Sequence, residues 1–372
     1  MIYLDHAAST PVRPEAVAAM LPFLTDRYGN PSGAHAMARD GRNALDDARV
    51  TLADALGCRP GEIVFTSGGT EADNAAVFSF ADRGVVVCSA VEHHAVLDPV
   101  HRLDGRVVRV EPSGVVDLDA LAGALDDSVA LVSIMLANNE IGTIQPLADV
   151  AALVRDRTPQ AVVHTDAVQA FPWLDVADLA QPADLISVSA HKFGGPKGVG
   201  VLVVREGVEF APRQVGGGQE RERRSGTQNV AGIVAMAEAA RLTVDERKKV
   251  IDRVAPMRDR LADGLLTTVA GTVESGDRAR KVAGNCHVCF DGIESEALLF
   301  LLEQHEVMAS AAASCASGAQ EPSHVLAALG LPRALAQGSL RLSLGTTTTD
   351  ADVDRVLELI PPAVARLRER GS

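Results

Sequence analysis

Aromatic rings are scarce in this chain. One Trp, two Tyr and nine Phe make up 3% of 372 residues, although apolar residues reach 47%. A ring-rich core is excluded, and one built from Ala, Val and Leu is expected instead. Cysteine is sparse as well: five thiols, an odd number in a chain this long, make no disulfide framework and point to a reducing compartment. Positive charge is in deficit. A net charge of −14 argues against a nucleic-acid partner, because non-specific affinity for a phosphate backbone comes from clustered Lys and Arg. No apolar run approaches the ~18 residues that span a bilayer. The opening Met1-Ile2-Tyr3-Leu4-Asp5-His6 also lacks a basic region followed by an apolar one. The expectation is a cytoplasmic protein with no membrane contact and no direct nucleic-acid role. A metal is not expected either. Cys286-His287-Val288-Cys289 has the spacing of half a zinc site, but no second Cys or His pair follows.

The length leaves room for two domains. From about residue 40, short β-branched runs alternate with longer Ala- and Leu-rich stretches at helical spacing, the pattern of a parallel sheet with crossover helices. The class is α/β. Strands are predicted at 63–66, 85–88, 107–110, 131–136, 161–165, 185–189 and 199–204, and helices at 41–56, 118–125 and 147–157. A longer helical pattern runs from Val230 through Ala240 into Arg260 and marks the expected domain junction. The residues 285–290 read as a strand with Cys286 and Val288 on one face and His287 and Cys289 on the other. Gly216-Gly217-Gly218 and the small-residue tract 309–319 read as mobile loops, and 221–224 as a solvated or intersubunit loop.

Ligands of open α/β sheets bind beyond the carboxyl ends of the strands, so the polar residues that follow each apolar run carry the most information. Ser67-Gly68-Gly69-Thr70-Glu71 follows the first. Two glycines there let a backbone approach an anion at a helix start, and a plain turn has the same composition. Glu92-His93-His94 follows the second run, Asn138-Asn139-Glu140 the fourth, and Asp166 with Gln169 the fifth. Each alone also reads as a cap or a loop polar; their shared position is what singles them out. After the sixth run comes Ser189-Ala190-His191-Lys192-Phe193-Gly194-Gly195-Pro196-Lys197-Gly198. Only five of the 35 basic residues are lysines, so a lysine at a strand end points to a requirement for a primary amine: Arg cannot form a Schiff base. An aldehyde cofactor fits the neighbours. Asp166 would keep a pyridine nitrogen protonated, and the Gly69 and Thr70 amides with Ser189 and His191 would hold a phosphate. Lys197, in a Gly-rich turn, is the rival amine.

At this point the sequence closely resembles the cysteine desulfurases, within the class V aminotransferase-like branch of pyridoxal-phosphate enzymes. The similarity runs from Tyr3-Leu4-Asp5-His6-Ala7-Ala8-Ser9-Thr10-Pro11 through Gly29-Asn30-Pro31-Ser32, Phe65-Thr66-Ser67-Gly68-Gly69-Thr70-Glu71, Glu92-His93 and Asn138-Asn139-Glu140-Ile141-Gly142. It continues through His164-Thr165-Asp166-Ala167-Val168-Gln169, the lysine stretch, Arg224-Ser225-Gly226-Thr227 and Glu321-Pro322-Ser323. The resemblance implies pyridoxal-phosphate fold type I. Residues 13–249 would form a large cofactor-binding domain with a mainly parallel sheet, and 1–12 with 250–372 a smaller α/β domain carrying the nucleophile.

By the same resemblance Lys192 forms the Schiff base with pyridoxal 5'-phosphate, Asp166 pairs with the pyridinium nitrogen and Gln169 bonds the ring hydroxyl. His93 stacks on the ring and takes part in acid–base steps, and Asn139 lies beside the cofactor. Thr70, Ser189 and His191 hold the phosphate, joined by Thr227 from the partner subunit of a homodimer. Arg341 grips the substrate carboxylate, and Cys315 is the nucleophile. The implied reaction frees the Lys192 amine to take the Cα proton of L-cysteine. Cys315 then attacks the substrate sulfur, giving L-alanine and a persulfide for an acceptor, for example an iron–sulfur scaffold or a tRNA-thiolation protein. Selenocysteine lyase activity and a catalytically idle cofactor-binding partner are the competing readings. The chain departs from the family at Ala312-Ala313-Ser314, where Gly-Ser-Ala is frequent, and at His94, where Lys is frequent.

Overall fold

The computed structural model describes residues 1–311 and 323–371. Among them run twelve strands: β1 Ile2–Tyr3, β2 Ile63–Thr66, β3 Val85–Ser89, β4 Arg106–Val108, β5 Val129–Ser133, β6 Val162–Asp166, β7 Leu185–Ser189, β8 Gly200–Val204, β9 Thr272–Glu274, β10 Asn285–Phe290, β11 Val307–Met308 and β12 Ser339–Ser343. Seven form one sheet in the order β2-β8-β7-β6-β5-β3-β4. Its β4-β3-β5-β6-β7 portion is parallel throughout.

These strands are near-continuous apolar runs because both faces of the sheet are covered. Alternate side chains enter opposite layers. Ile63, Phe65, Val87, Ile186, Val188, Val201 and Val203 join the main core, while Val64, Val86, Cys88, Leu185, Leu202 and Val204 join a second one. Cys88 is thereby a core thiol with no access to solvent.

One strand departs from the parallel pattern. β8 runs antiparallel to both β7 and β2. The connection 190–199 is too short for a parallel crossover, which takes about a dozen residues or more. The apolar run predicted at 131–136 also outlasts its ladder, which ends at Ser133. Ile134 and Leu136 continue the pairing by donating to the His164 and Asp166 carbonyls.

The helical pattern after Val230 forms one helix, Val230–Thr268, opened by the Asn229 side chain accepting from the Gly232 amide. It packs on Pro14–Thr25 and Ala36–Leu56 at one end and reaches β9 and β10 at the other. Those two strands and β12 make an antiparallel sheet in the order β12-β10-β9. In β10, Cys286 and Val288 enter the main core and Cys289 a separate cluster with Val91 and Met135, which is the alternation the sequence predicted.

The N-terminal segment is sewn onto this second sheet by Ser343. Its amide donates to the Leu4 carbonyl, its carbonyl accepts from His6, and its Oγ accepts from the Ala7 amide at 2.9 Å. Asp5 and Ser343 are bridge partners.

The segment 221–224 is more than a solvated loop: Arg224 pairs with Glu71 at 2.8 Å, and Arg221 and Arg223 donate to the Gly61 carbonyl. Among the described residues no helix is long and apolar enough to cross a membrane, and no group of three or more His, Cys, Asp or Glu is placed to hold a metal. Cys315 lies outside the described residues.

Candidate active site

A cavity of about 310 Å³ lies at the carboxyl edge of the large sheet, lined by Gly69, Thr70, Asp73, His93, Asn139, Asp166, Gln169, Ser189, His191 and Lys192 among others. Eight residues that the sequence placed after four different strands and at the lysine thus share one space with Gly69. Lys197 does not: it is exposed and borders a separate surface hollow with Met1 and Tyr3. Thr227 is exposed on the loop before Val230–Thr268 and does not line the cavity.

Lys192 follows β7 in a short 3-10 turn, Ala190–Lys192. Its Nζ donates to the carbonyls of Ala7 and Ala8 at 2.5 and 3.1 Å. Thr10 ties the same turn to the N-terminal segment, since its Oγ1 donates to the His191 carbonyl and accepts from the Gly194 amide. Burial, then the nearby Arg341 charge, lowers the lysine pKa to about 8, against the opposing pull of Asp166 and Asp5.

Asp166 is the last residue of β6 and is buried. Its Oδ1 accepts from the Val168 amide at 2.8 Å, so the local cap that the sequence allows is real and leaves the other oxygen free for a ligand. Burial pushes this acid up to about 6, and pushes the adjacent buried Asp73 up as well. A carboxylate in that state is short of a cation.

His93 caps the helix His94–Arg102 with its own ring: Nδ1 accepts from the Ala95 amide at 3.0 Å, which leaves the proton of the neutral ring on Nε2. The ring is accessible from the cavity yet set deep, and burial followed by the Lys192 charge lowers its pKa to about 4. It is neutral at physiological pH. His191 is likewise lowered to about 4, mainly by burial, with its Nδ1 3.4 Å from the Ser9 hydroxyl.

The glycine turn is shaped by close backbone contact. Gly68 has φ of 150°, and a Cβ on Gly200 of β8 would stand 2.8 Å from the Gly68 Cα and carbonyl carbon. A Cβ on Gly69 would meet Val168 at 2.9 Å. The turn opens the helix Gly69–Phe78, whose first amides are free of intrahelical partners.

Arg341 on β12 is almost fully buried. Its Nη1 donates to the Asn139 carbonyl at 3.1 Å and its Nη2 pairs with Asp5 at 2.8 Å.

Several residues at or behind the site were given no role from sequence. Glu92 is buried, accepts from the Ser89 hydroxyl and the Met135 amide, and is raised to about 8 by burial. Asp73 lies 3.7 Å from His164, which is bracketed by the hydroxyls of Ser133 and Ser187. For Ser133, His164 and Ser187 a polar residue inside an apolar strand was the available signal, whereas Asp73 lies on the helix Gly69–Phe78 and Glu92 beyond β3. Asp5 carried none, because its partner is 336 residues away.

The donor set fits pyridoxal phosphate. One amine with a lowered pKa can bond an aldehyde, and one buried acid short of a cation suits a pyridinium. The Gln169 Oε1 is buried without a partner among the described residues and suits a ring hydroxyl. Hydroxyls and helix-start amides suit the phosphate.

The fold and this site define a class V aminotransferase-type enzyme, and the family described as aminotransferase class-V matches residues 2–356. The chain belongs to that family and, within it, to the cysteine desulfurases. It is 44% identical over 377 aligned positions to the cysteine desulfurase IscS of Methanosarcina thermophila, covering 99% of this chain and 93% of the relative. It is also 44% identical to the IscS-like cysteine desulfurase of Mycobacterium tuberculosis, covering 99% and 97%. The solved structure of a NifS-like protein superposes with a TM-score of 0.92 at 36% identity, over 98% of this chain and 100% of the other. The activity is pyridoxal-phosphate-dependent desulfuration of cysteine. Cysteine desulfurases act on L-cysteine and pass its sulfur to acceptor proteins.

Proposed function

We propose that Lys192 and Cys315 divide the reaction between them, the first handling protons at Cα and the second receiving sulfur. The observation that carries this reading is the Lys192 amine, lowered to about 8, opening onto the same cavity as the buried Asp166. Pyridoxal phosphate, when bound, supplies an aldehyde and an electron-accepting ring.

Lys192 is the amine that would hold the aldehyde, and as a neutral amine it would take the Cα proton of the substrate, kept within reach by the Ala7 and Ala8 carbonyls. Asp166 would balance the ring-nitrogen charge, and the orphaned Gln169 amide oxygen would accept from the ring hydroxyl. His93, neutral with its proton on Nε2, would lie against the ring and could exchange protons beside it. Asn139 positions cofactor and substrate. Gly69 and Thr70 at the helix start, with Ser189 and His191, hold the phosphate.

Thr227 completes the phosphate site from the partner subunit of a homodimer. Its exposure, outside its own chain's cavity, supports that reading. Arg341 takes the substrate carboxylate. Cys315 attacks the substrate sulfur, the C–S bond breaks, and a persulfide stays on its Sγ for an acceptor protein such as an iron–sulfur scaffold or a tRNA-thiolation protein. The unit boundaries belong to the same proposal, with 13–249 holding the cofactor and 1–12 with 250–372 holding the nucleophile and Arg341. A cytoplasmic location accords with the chemistry of a free reactive thiol.

Alanine and sulfide assays on two variants test the division of labour. Cys315→Ala is expected to keep the bound-cofactor absorbance and lose sulfur transfer, and Lys192→Ala to lose both. A Cys315→Ala enzyme that desulfurises cysteine at the wild-type rate refutes the assignment.

A further inference from the structure

Arg341 meets a carboxylate of its own chain at the place proposed for the substrate. Nη2 pairs with Asp5 Oδ1 at 2.8 Å, Nη1 donates to the Asn139 carbonyl, and Nε has no partner among the described residues. Nε–H and Nη2–H lie on one edge of the guanidinium, the edge that a carboxylate grips with two parallel bonds. Asp5 therefore fills one prong of that fork and leaves the other buried and, among the described residues, unpaired, a costly state for a donor on a side chain only 8% exposed. An α-carboxylate that took both prongs would form the better pair.

The position of Asp5 is fixed by the fold. Ser343, two residues beyond Arg341 on β12, bonds Leu4, His6 and Ala7. Asp5 is thus held beside the arginine, and the carbonyls of Ala7 and Ala8 are held on Lys192.

We propose that Asp5 is a built-in competitor for the substrate carboxylate, closing Arg341 between turnovers and yielding it to an incoming amino acid. The inference rests on Arg341 being the carboxylate-binding residue. Because Asp5 competes with the α-carboxylate, which substrate and product have in common, it weakens L-cysteine and L-alanine by the same factor, and it speeds release of the product. It is a positioning residue: it acts through Arg341 and touches neither sulfur nor Cα.

The test uses the holoenzyme with Asp5→Asn, which keeps size and removes charge. If Asp5 holds Arg341 closed most of the time, freeing it should lower both the KM for L-cysteine and the inhibition constant of L-alanine together, by roughly fivefold or more. Asp5→Glu should stay near wild type. Melting temperature and cofactor absorbance report on folding, and Asp5→Ser makes the same comparison should Asn fail to fold. Arg341→Gln is measured alongside and should raise both constants. If Arg341→Gln raises them while the Asp5 variants leave them unchanged or higher, the competitor role is overturned. If Arg341→Gln moves neither, the arginine assignment itself has failed and the proposal goes with it.

Discussion

Asp166 and Ser187 are register partners on adjacent parallel strands, so Lys192, five residues beyond Ser187, crosses the carboxyl edge of the sheet beside the buried acid. Each moves the other's proton affinity: the carboxylate raises the lysine pKa and the ammonium lowers that of the acid. Burial is the larger cause for both, lowering the lysine and raising the acid; the pairing opposes it in each, favouring the ionised acid that a pyridinium needs and working against the neutral amine that an aldehyde needs.

The pH dependence of cofactor capture follows. Only the neutral amine bonds an aldehyde, so the rate at which cofactor-free protein takes up pyridoxal phosphate should rise with pH and level off above about 8, against 10.5 for an ordinary lysine. Arg341 is a lowering cause, so Arg341→Gln should shift that midpoint to higher pH. Stopped-flow absorbance over pH 6.5–9.5 measures both, and a midpoint unchanged in Arg341→Gln would contradict the assigned cause.

Gly200→Ala should disable the phosphate cradle without touching a functional group. Its Cβ would press on the Gly68 backbone at 2.8 Å and displace the turn that presents the Gly69 and Thr70 amides. Cofactor affinity should fall by at least ~10-fold, on the order of one lost charge-assisted contact. Fluorescence titration of cofactor-free protein reads the change, with circular dichroism as the control on folding.

Much of this site was legible in the sequence because strand ends are legible. An apolar run followed by a polar residue locates the sheet's carboxyl edge, and Asn139, Asp166, Ser189, His191 and Lys192 all met there. The direction of β8 was not read, since a buried run looks the same from either end; the length of 190–199 held the answer. For His93 a cap was one of the readings left open, and nothing in the sequence chose it because histidine is not among the usual capping residues. The Asp5 and Arg341 pair escaped because nothing local records a contact between the first strand's neighbour and the last.

The central claim is that the amine at position 192 is the one joined to the cofactor. Borohydride reduction of the holoenzyme, proteolysis and mass mapping test it most directly. The account predicts a single pyridoxyl label on the peptide carrying Lys192, absent from Lys192→Ala. A label on Lys197 or on any of the other three lysines, or none at all, would contradict it.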